Sequence, residues 1–584
     1  MAFISPNIAS NTDLVTFTVK IDGKAVSRNY RILQVFVSHE LNRLPTAIIV
    51  IADGDPATQD FMVSNSADFI PGKYIKIQAG YHSIEETIFD GVIIKHGIKV
   101  KESKPSFLFV ECKDVAYKMT IGRKNRSFDD STDSDLITEI LAEYGLAIDV
   151  DPTSDTHEKI IQYNVTDWDL INMRAEMNSL FVNVNDGQVE VKKLNTAQPP
   201  VTTLSYGANI IEVEAEIDSR SQFHGMKAQS WDSAGQEMVE MESATSTGTQ
   251  PGNLGNDDLA NVAGLDFLML RHSGQISDKE LKAWSEAMLN RSRMEKSVGK
   301  IRIQGRSGIR PGHVVALQGL GNRFNGNALI SAVSHRIYGG NWFTYLVYGI
   351  KFETFAQHFK DNLLEIPAAG LIPSVSGLQA GIVTVLENDP KSEFRIKVKL
   401  PAISPDEEGL WARIALPDAG KDRGFMFMPE IGDEVIVGFM NEDPRNPVIL
   451  GMLHSSVKPA PFSATDSNNQ KAMVTRSGIK ISFDDDKKSV EISTPAGYIF
   501  HLDEDQKEIL LEDANRNKIK MNSDGITLES GKDVIIKATS GNVTIDGINI
   551  TQKAMAEIKL EGSAGLEAKS SGVTVIKGSL VRIN

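Results

Sequence analysis

The sequence predicts a mainly β chain of several domains, with a few helices, ending in a long array of short strands that needs further copies of itself. Three observations carry this. From about Met473 the chain is one alternating segment after another, among them SGIKISF, SVEIST, EILLED, GITLES, NVTIDG and VTVIKG, down to SLVRIN at the end; alternation of apolar and polar residues marks strands buried on one face. Residues 1–125 hold longer alternating runs, TFTVKI, YRILQVFVSHEL, TAIIVIAD and KYIKIQAGY, separated by turn residues. Between lies a compact set of five short strands, LQAGIVTVLE, FRIKVKL, LWARIAL, DEVIVGFM and NPVILGML, over residues 378–456.

The elements follow in order. Strands through SFLFVECKD make 1–125 a first β domain. The segment Asp133–Gly145 reads as a helix with Asp133 as N-cap, Gly145 as C-cap and Leu136, Ile140, Leu141 and Tyr144 as its apolar stripe. A second helix over about 167–179 leads into LFVNVNDGQVEVKKL, whose Asp186-Gly187 is a hairpin signal. Residues 243–258 form a polar, glycine-rich loop. The run Ser277–Glu295 is the clearest helix, with Ser277 and Glu280 as a capping box and Leu281, Trp284 and Met288 as its buried face. With the strands KIRIQG, HVVAL, NALISAVSHRIY and WFTYLVYGI this makes 126–365 a helical insert plus a second β domain. A Pro- and Gly-dense linker, 366–377, precedes the five strands of 378–456, which suit a small Greek-key barrel of the oligonucleotide/oligosaccharide-binding (OB) type. A second linker, 457–472, opens onto the strand array of 473–584.

Within that array Ile526 and Leu528, Val543 and Ile545, and Ile558 and Leu560 are the inward pairs. Equivalent positions recur at Ile526, Val534 and Val543, and again at Ile558, Leu566 and Thr574, a spacing typical of stacked-strand repeats. A linear array in one chain leaves a long open edge and half its apolar face in water. A single-chain solenoid or a flat meander lying on the upstream domains is the competing arrangement. A parallel β-helix, however, usually takes about twenty residues or more per coil, so the shorter period favours several chains wound into a prism.

Composition narrows the function. At 584 residues, 41% hydrophobic and 24% charged, the chain is that of a folded multidomain protein. Its formal charge of -16 disfavours general nucleic-acid binding, which needs clustered Lys and Arg. Residues 471–584 carry 16 Lys and Arg against 17 Asp and Glu, so nearly all the acidity lies upstream. The lone Cys112 sits in a strand pattern and reads as a small core residue. The N-terminus lacks the basic and apolar regions of a secretory signal, and TAIIVIA at 46–52 is a strand rather than a span. The expectation is synthesis in the cytoplasm and export by another route.

Catalytic patterns fail where they start. His39-Glu40 and His157-Glu158 open metalloprotease-like motifs, but the fourth residue on is Arg43 and Ile161. Gly319-Leu320-Gly321 lies between strands and reads as a turn. No nucleophile elbow or Cys/His cluster is present, so neither an enzyme nor a cofactor or metal site is expected. A glycan-degrading enzyme built on β-repeats remains a rival reading. So does an OB-type nucleic-acid module, against which the barrel's 8 Lys and Arg and 13 Asp and Glu weigh.

The order of domains, with PGKYIKIQAGY (71–81), IFDGVI (88–93), QYNVTDWDLINMRAEMNSLFVNVNDGQVEV (162–191), HGMKAQSWD (224–232), PGHVVALQGLGNRFNGNALISAVSH (311–335) and MPEIGDEVIVGFMNEDPRNPVILGML (428–453), resembles a VgrG-type spike of a contractile injection system. The same resemblance extends to type VI secretion, released phage-tail-like particles and the hub and needle of contractile phage tails. It implies β-barrel hub domains, an OB barrel and a C-terminal intertwined trimeric β-helix whose core holds Ile526, Leu528, Val534, Val543, Ile545, Ile558 and Leu560. It implies a central spike that joins inner tube and baseplate to a needle piercing the target membrane and carrying effector cargo. Some phage needles hold iron at the apex through histidines, but the last histidine here is His501. A separate PAAR-type cone is therefore expected to cap the trimer at Gly578, Leu580, Val581, Ile583 and Asn584.

Overall fold

The computed structural model describes residues 14–583 except 103, 233–234, 236, 245–249, 273–275, 361–366, 368–371, 373 and 403–408. The chain divides into two units, Met1–Pro373 and Ser374–Asn584. Asn584 and half of the expected 366–377 linker lie outside the described residues.

In the first unit the alternating runs become one thirteen-stranded sheet. The strand Ile32–Glu40 pairs with Thr46–Ala52 on one side and with Gly326–Tyr338 on the other, so strand-rich regions nearly the whole unit apart in sequence share a ladder. Two apolar clusters pack on the sheet, the first joined by Ile337 and Trp342 from the second half. Ile49, Ile51, Ile75, Ile77, Phe89 and Leu108 lie in one, with Cys112 buried among them, and Ile301, Val315, Ile330, Leu346 and Tyr348 lie in the other. Burial pushes the Cys112 thiol far up, which suits an inert core residue.

The insert between the halves carries the helices. Helix α1 spans Asp133–Ala142 and α2 spans Asp167–Met177. The expected stripe is there: Leu136, Ile140 and Leu141 are buried and Tyr144 packs beside them. Asp133 is not the N-cap. Thr132 accepts from Asp135 N instead, because the Asp133 carboxylate is drawn inward onto Arg174 of α2, whose Nε donates to Oδ1 at 2.6 Å. Asp167 is likewise buried behind its own cap, Thr166, and receives Lys124 Nζ at 2.7 Å, Arg126 Nη2 at 2.9 Å and the Tyr144 hydroxyl at 2.6 Å. Burial alone would raise this carboxyl; the donors and the charge of Arg126 outweigh it and hold the group below the usual carboxylate range. The Asp186-Gly187 turn has both residues at positive φ and closes the hairpin of Leu180–Asn185 with Gln188–Lys193, as a type I′ turn requires.

The glycine-rich loop ends sooner than its composition implies. A short helix, α3, occupies Asn256–Ala263 and stops at Gly264 in the left-handed region. Helix α4 spans Asp278–Glu295 with Ser277 accepting from Glu280 N, while the Glu280 side chain turns to Arg174 instead of completing the capping box.

The second unit opens with the closed five-stranded barrel at the expected strands: Gln379–Val385, Ile396–Lys399, Leu410–Ile414, Glu434–Phe439 and Pro447–Met452. Val383, Ile396, Val398, Ala412, Val435, Val437 and Ile449 fill it. At Gly409, φ is +108° and an added Cβ would run into the Val398 carbonyl, so only glycine fits there. Beyond the barrel seven strands of five residues each, from Gln470–Val474 to Gly525–Glu529, pair each with the next as an antiparallel meander. Loops of a few residues join them and force antiparallel neighbours within the chain. The first half of the array is therefore a single-chain meander rather than interleaved strands. Among the described residues no strand forms after Glu529. Nor is any helix among them long and apolar enough to cross a membrane.

Candidate functional site

The register of the meander sorts its side chains onto two unlike faces. Cross-strand partners Met473, Ile481, Ile492, Phe500, Leu511, Ile519 and Leu528 form one column on one face. Lys471, Phe483, Val490, Leu502, Ile509, Met521 and Ile526 form a second column on that face, apolar except at its start. Residues directly opposite in an antiparallel ladder share a face. The other face is mixed, with Ala472, Ser482, Glu491, His501, Leu510, Lys520 and Thr527 in one column and Lys480–Glu491 and Lys518–Glu529 ion pairs at 3.0 Å.

Among the described residues of the second unit nothing covers the apolar face. Phe483, Ile492 and Leu511 are about 40% exposed, Leu528 55% and Ile526 74%. None of the hydrophobic clusters among the described residues reaches past Ile449. A sheet with one almost wholly apolar face in water is a docking surface or an aggregation hazard.

The expected inward positions of the last segment are likewise uncovered. Val534, Val543, Ile545, Ile558 and Leu560 are 52–65% exposed, less than Ile535, Ile548 or Met555 at 83–104%. Among the described residues no partner strand completes them. Gly578, Leu580, Val581 and Ile583 are all exposed; Asn584 lies outside the described residues.

Sequence reasoning placed the array but missed Ile481, Ile492, Phe500, Leu511 and Ile519 as members of one column. The signal lay in the even spacing of the turns at 475–479, 485–488, 494–498, 504–507 and 513–517.

The Alg8 N-terminal domain model matches residues 11–339, more than half of the chain. The chain belongs to that family. Residues 379–454 match the type VI secretion system/phage-baseplate injector OB domain, which coincides with the closed barrel. Among curated relatives, the type VI secretion system spike protein VgrG1a of Pseudomonas aeruginosa is 28% identical over 158 residues, 25% of this chain and 24% of that protein. The spike protein VgrG3 of Vibrio cholerae is 32% identical over 107 residues, 17% of this chain and 10% of that protein. The matched segments thus span a quarter or less of the length of these relatives. The 43 kDa tail protein of prophage MuSo2 from Shewanella oneidensis is similar over 57% of this chain and 98% of that one, at 12% identity and a TM-score of 0.44. The VgrG-type resemblance read from the sequence is borne out by the barrel domain and these spike relatives.

Proposed function

We propose that this chain is the central spike of a contractile injection apparatus, acting as a homotrimer. The observation that carries the reading is the uncovered apolar face of the meander, which runs on into a further segment that has no partner strands among the described residues. Three copies turned inward bury all three faces on one axis and leave the ion-paired faces outside. Each fully buried Leu, Ile or Phe contributes roughly 1.5–3 kcal/mol, so two seven-residue columns per chain supply ample driving force. In the last segment the three chains interleave their strands, each covering the edge of the next, with Val534, Val543, Ile545, Ile558 and Leu560 on the axis.

The acidic first unit serves as the hub that meets the inner tube and baseplate, its charge suited to basic partner patches. The chain is made in the cytoplasm, assembled into the particle and driven with cargo through the target membrane on contraction. At the far end Gly578, Leu580, Val581, Ile583 and Asn584 present three open strand ends that a PAAR-type cone covers. Deleting residues 576–584 tests the last step. The truncated chain should keep its oligomer mass and lose co-purification of the cone; a cone bound as tightly as before overturns that assignment.

A further inference from the structure

His157 has no place in the spike reading, and its sequence motif fails at Ile161. The fold gives it other neighbours. It stands near the start of the strand Thr156–Val165, and its Nδ1 lies 4.0 Å from Asp155 Oδ2 and 3.8 Å from Glu280 Oε2, on the first turn of α4. The three ligand atoms fall within 4.8 Å of one another. These gaps are too wide for hydrogen bonds. Ligands around one tetrahedral cation at ~2.1 Å stand ~3.4 Å apart, so the three atoms close onto such an ion with side-chain shifts of up to about an ångström.

Each group is held by an outer partner. Nε2 of His157 is 3.2 Å from Asp133 Oδ2, and in the tautomer that donates this proton the Nδ1 lone pair faces the two carboxylates. A carboxylate behind a histidine is the usual support of a metal-binding imidazole. Arg174 Nη2, 3.1 Å from the same ring nitrogen, donates to Asp133 Oδ2 and Glu280 Oε1, both at 3.0 Å, which leaves Glu280 Oε2 free to turn inward. Ser277 Oγ donates to Asp155 Oδ2 at 2.6 Å. Three carboxylates face one guanidinium in this half-buried cluster. The N-terminal ends of α1 and α4 offset about half a charge each, so net negative charge remains with His157 neutral.

We infer that Asp155, His157 and Glu280 form a binding site for one divalent transition-metal ion of the zinc class, with water completing its shell. One imidazole with two carboxylates suits such an ion better than Mg²⁺ or Ca²⁺, which take oxygen ligands. The ion would fasten the N-terminal turn of α4 to the 151–157 segment and so stiffen the helical insert of the first unit.

The test uses the full-length oligomer, stripped with chelator and titrated with Zn²⁺ calorimetrically and with Co²⁺ by visible absorption. The expected result is one ion per chain and a Co²⁺ ligand-field band, with binding weakened about tenfold or more in His157→Gln and in Asp155→Asn and unchanged in His454→Gln. X-ray absorption of the zinc-loaded protein should show one imidazole and a shell of oxygens. If His157→Gln does not fold, Asp155→Asn and the absorption spectrum decide. Failure to take up stoichiometric metal, or uptake equal in the ligand variants and the wild type, overturns the assignment. Metal binding and spike assembly are read separately, so either can fail alone.

Discussion

His39 lies in the strand that joins the two halves of the large sheet and is 1% exposed. Its Nε2–H donates to the Ile88 carbonyl at 2.8 Å, and the Arg310 guanidinium stands 3.3 Å away. Burial first, and the Arg310 charge second, lower its pKa from 6.5 to about 4. The unfolded chain therefore takes up this proton before the folded one. Stability is unaffected above the unfolded value, falls as pH drops through the interval from 6.5 to about 4, and levels off below it. At 1.36 kcal/mol per pH unit the loss is roughly 3 kcal/mol. His335, fully buried on the partner strand and lowered by the same cause, adds in the same direction. Asp114, Asp169 and Asp186, whose carboxyls burial raises, act in the opposite sense. A variant that removes one titration isolates the effect. His39→Gln keeps an amide donor toward Ile88 and cannot protonate. Urea unfolding of both proteins, followed by tryptophan fluorescence, reads mainly the first unit, which holds Trp168, Trp231, Trp284 and Trp342 against Trp411 in the second. The stability difference between wild type and variant should shift by about 3 kcal/mol from pH 7 to pH 4, against the wild type. Parallel pH curves would refute the reasoning.

Other outcomes follow from the same contacts. Asp167→Asn removes the buried counter-charge of Lys124 and Arg126, which keep only the exposed Glu143, and should destabilise the first unit by about 1–3 kcal/mol, read by thermal melting. The wild-type contribution of Asp167 is present above the usual carboxylate range and is lost as pH falls through its lowered pKa. Val543→Asp places a carboxylate on the proposed axis and should cost several kcal/mol. A thermal dissociation profile matching the wild type would remove Val543 from the core.

How much was legible depends on how local each cause is. Helices α1, α2 and α4 were readable because apolar stripes and capping residues lie within a few residues of one another. The cap of α1 was misplaced by one residue because the pull on Asp133 comes from Arg174 on another helix. Helix α3 was hidden by a short, polar sequence. Alternation announced the strands, yet not that Ile32–Glu40 pairs with Gly326–Tyr338, since nothing local encodes a partner so remote. In the C-terminal array alternation marked an apolar side; whether a strand pairs within its own chain depends on loop length, and short loops decided it for 470–529. The Asp155–His157–Glu280 cluster was invisible for the same reason as the long-range ladder: Glu280 arrives from a distant helix.

The mass of the purified full-length protein in solution tests the central claim most directly. Light scattering after gel filtration should give about 192 kDa, three times the 64.0 kDa chain, at every concentration examined. A stable particle of 64.0 kDa with its apolar face in water would contradict the account.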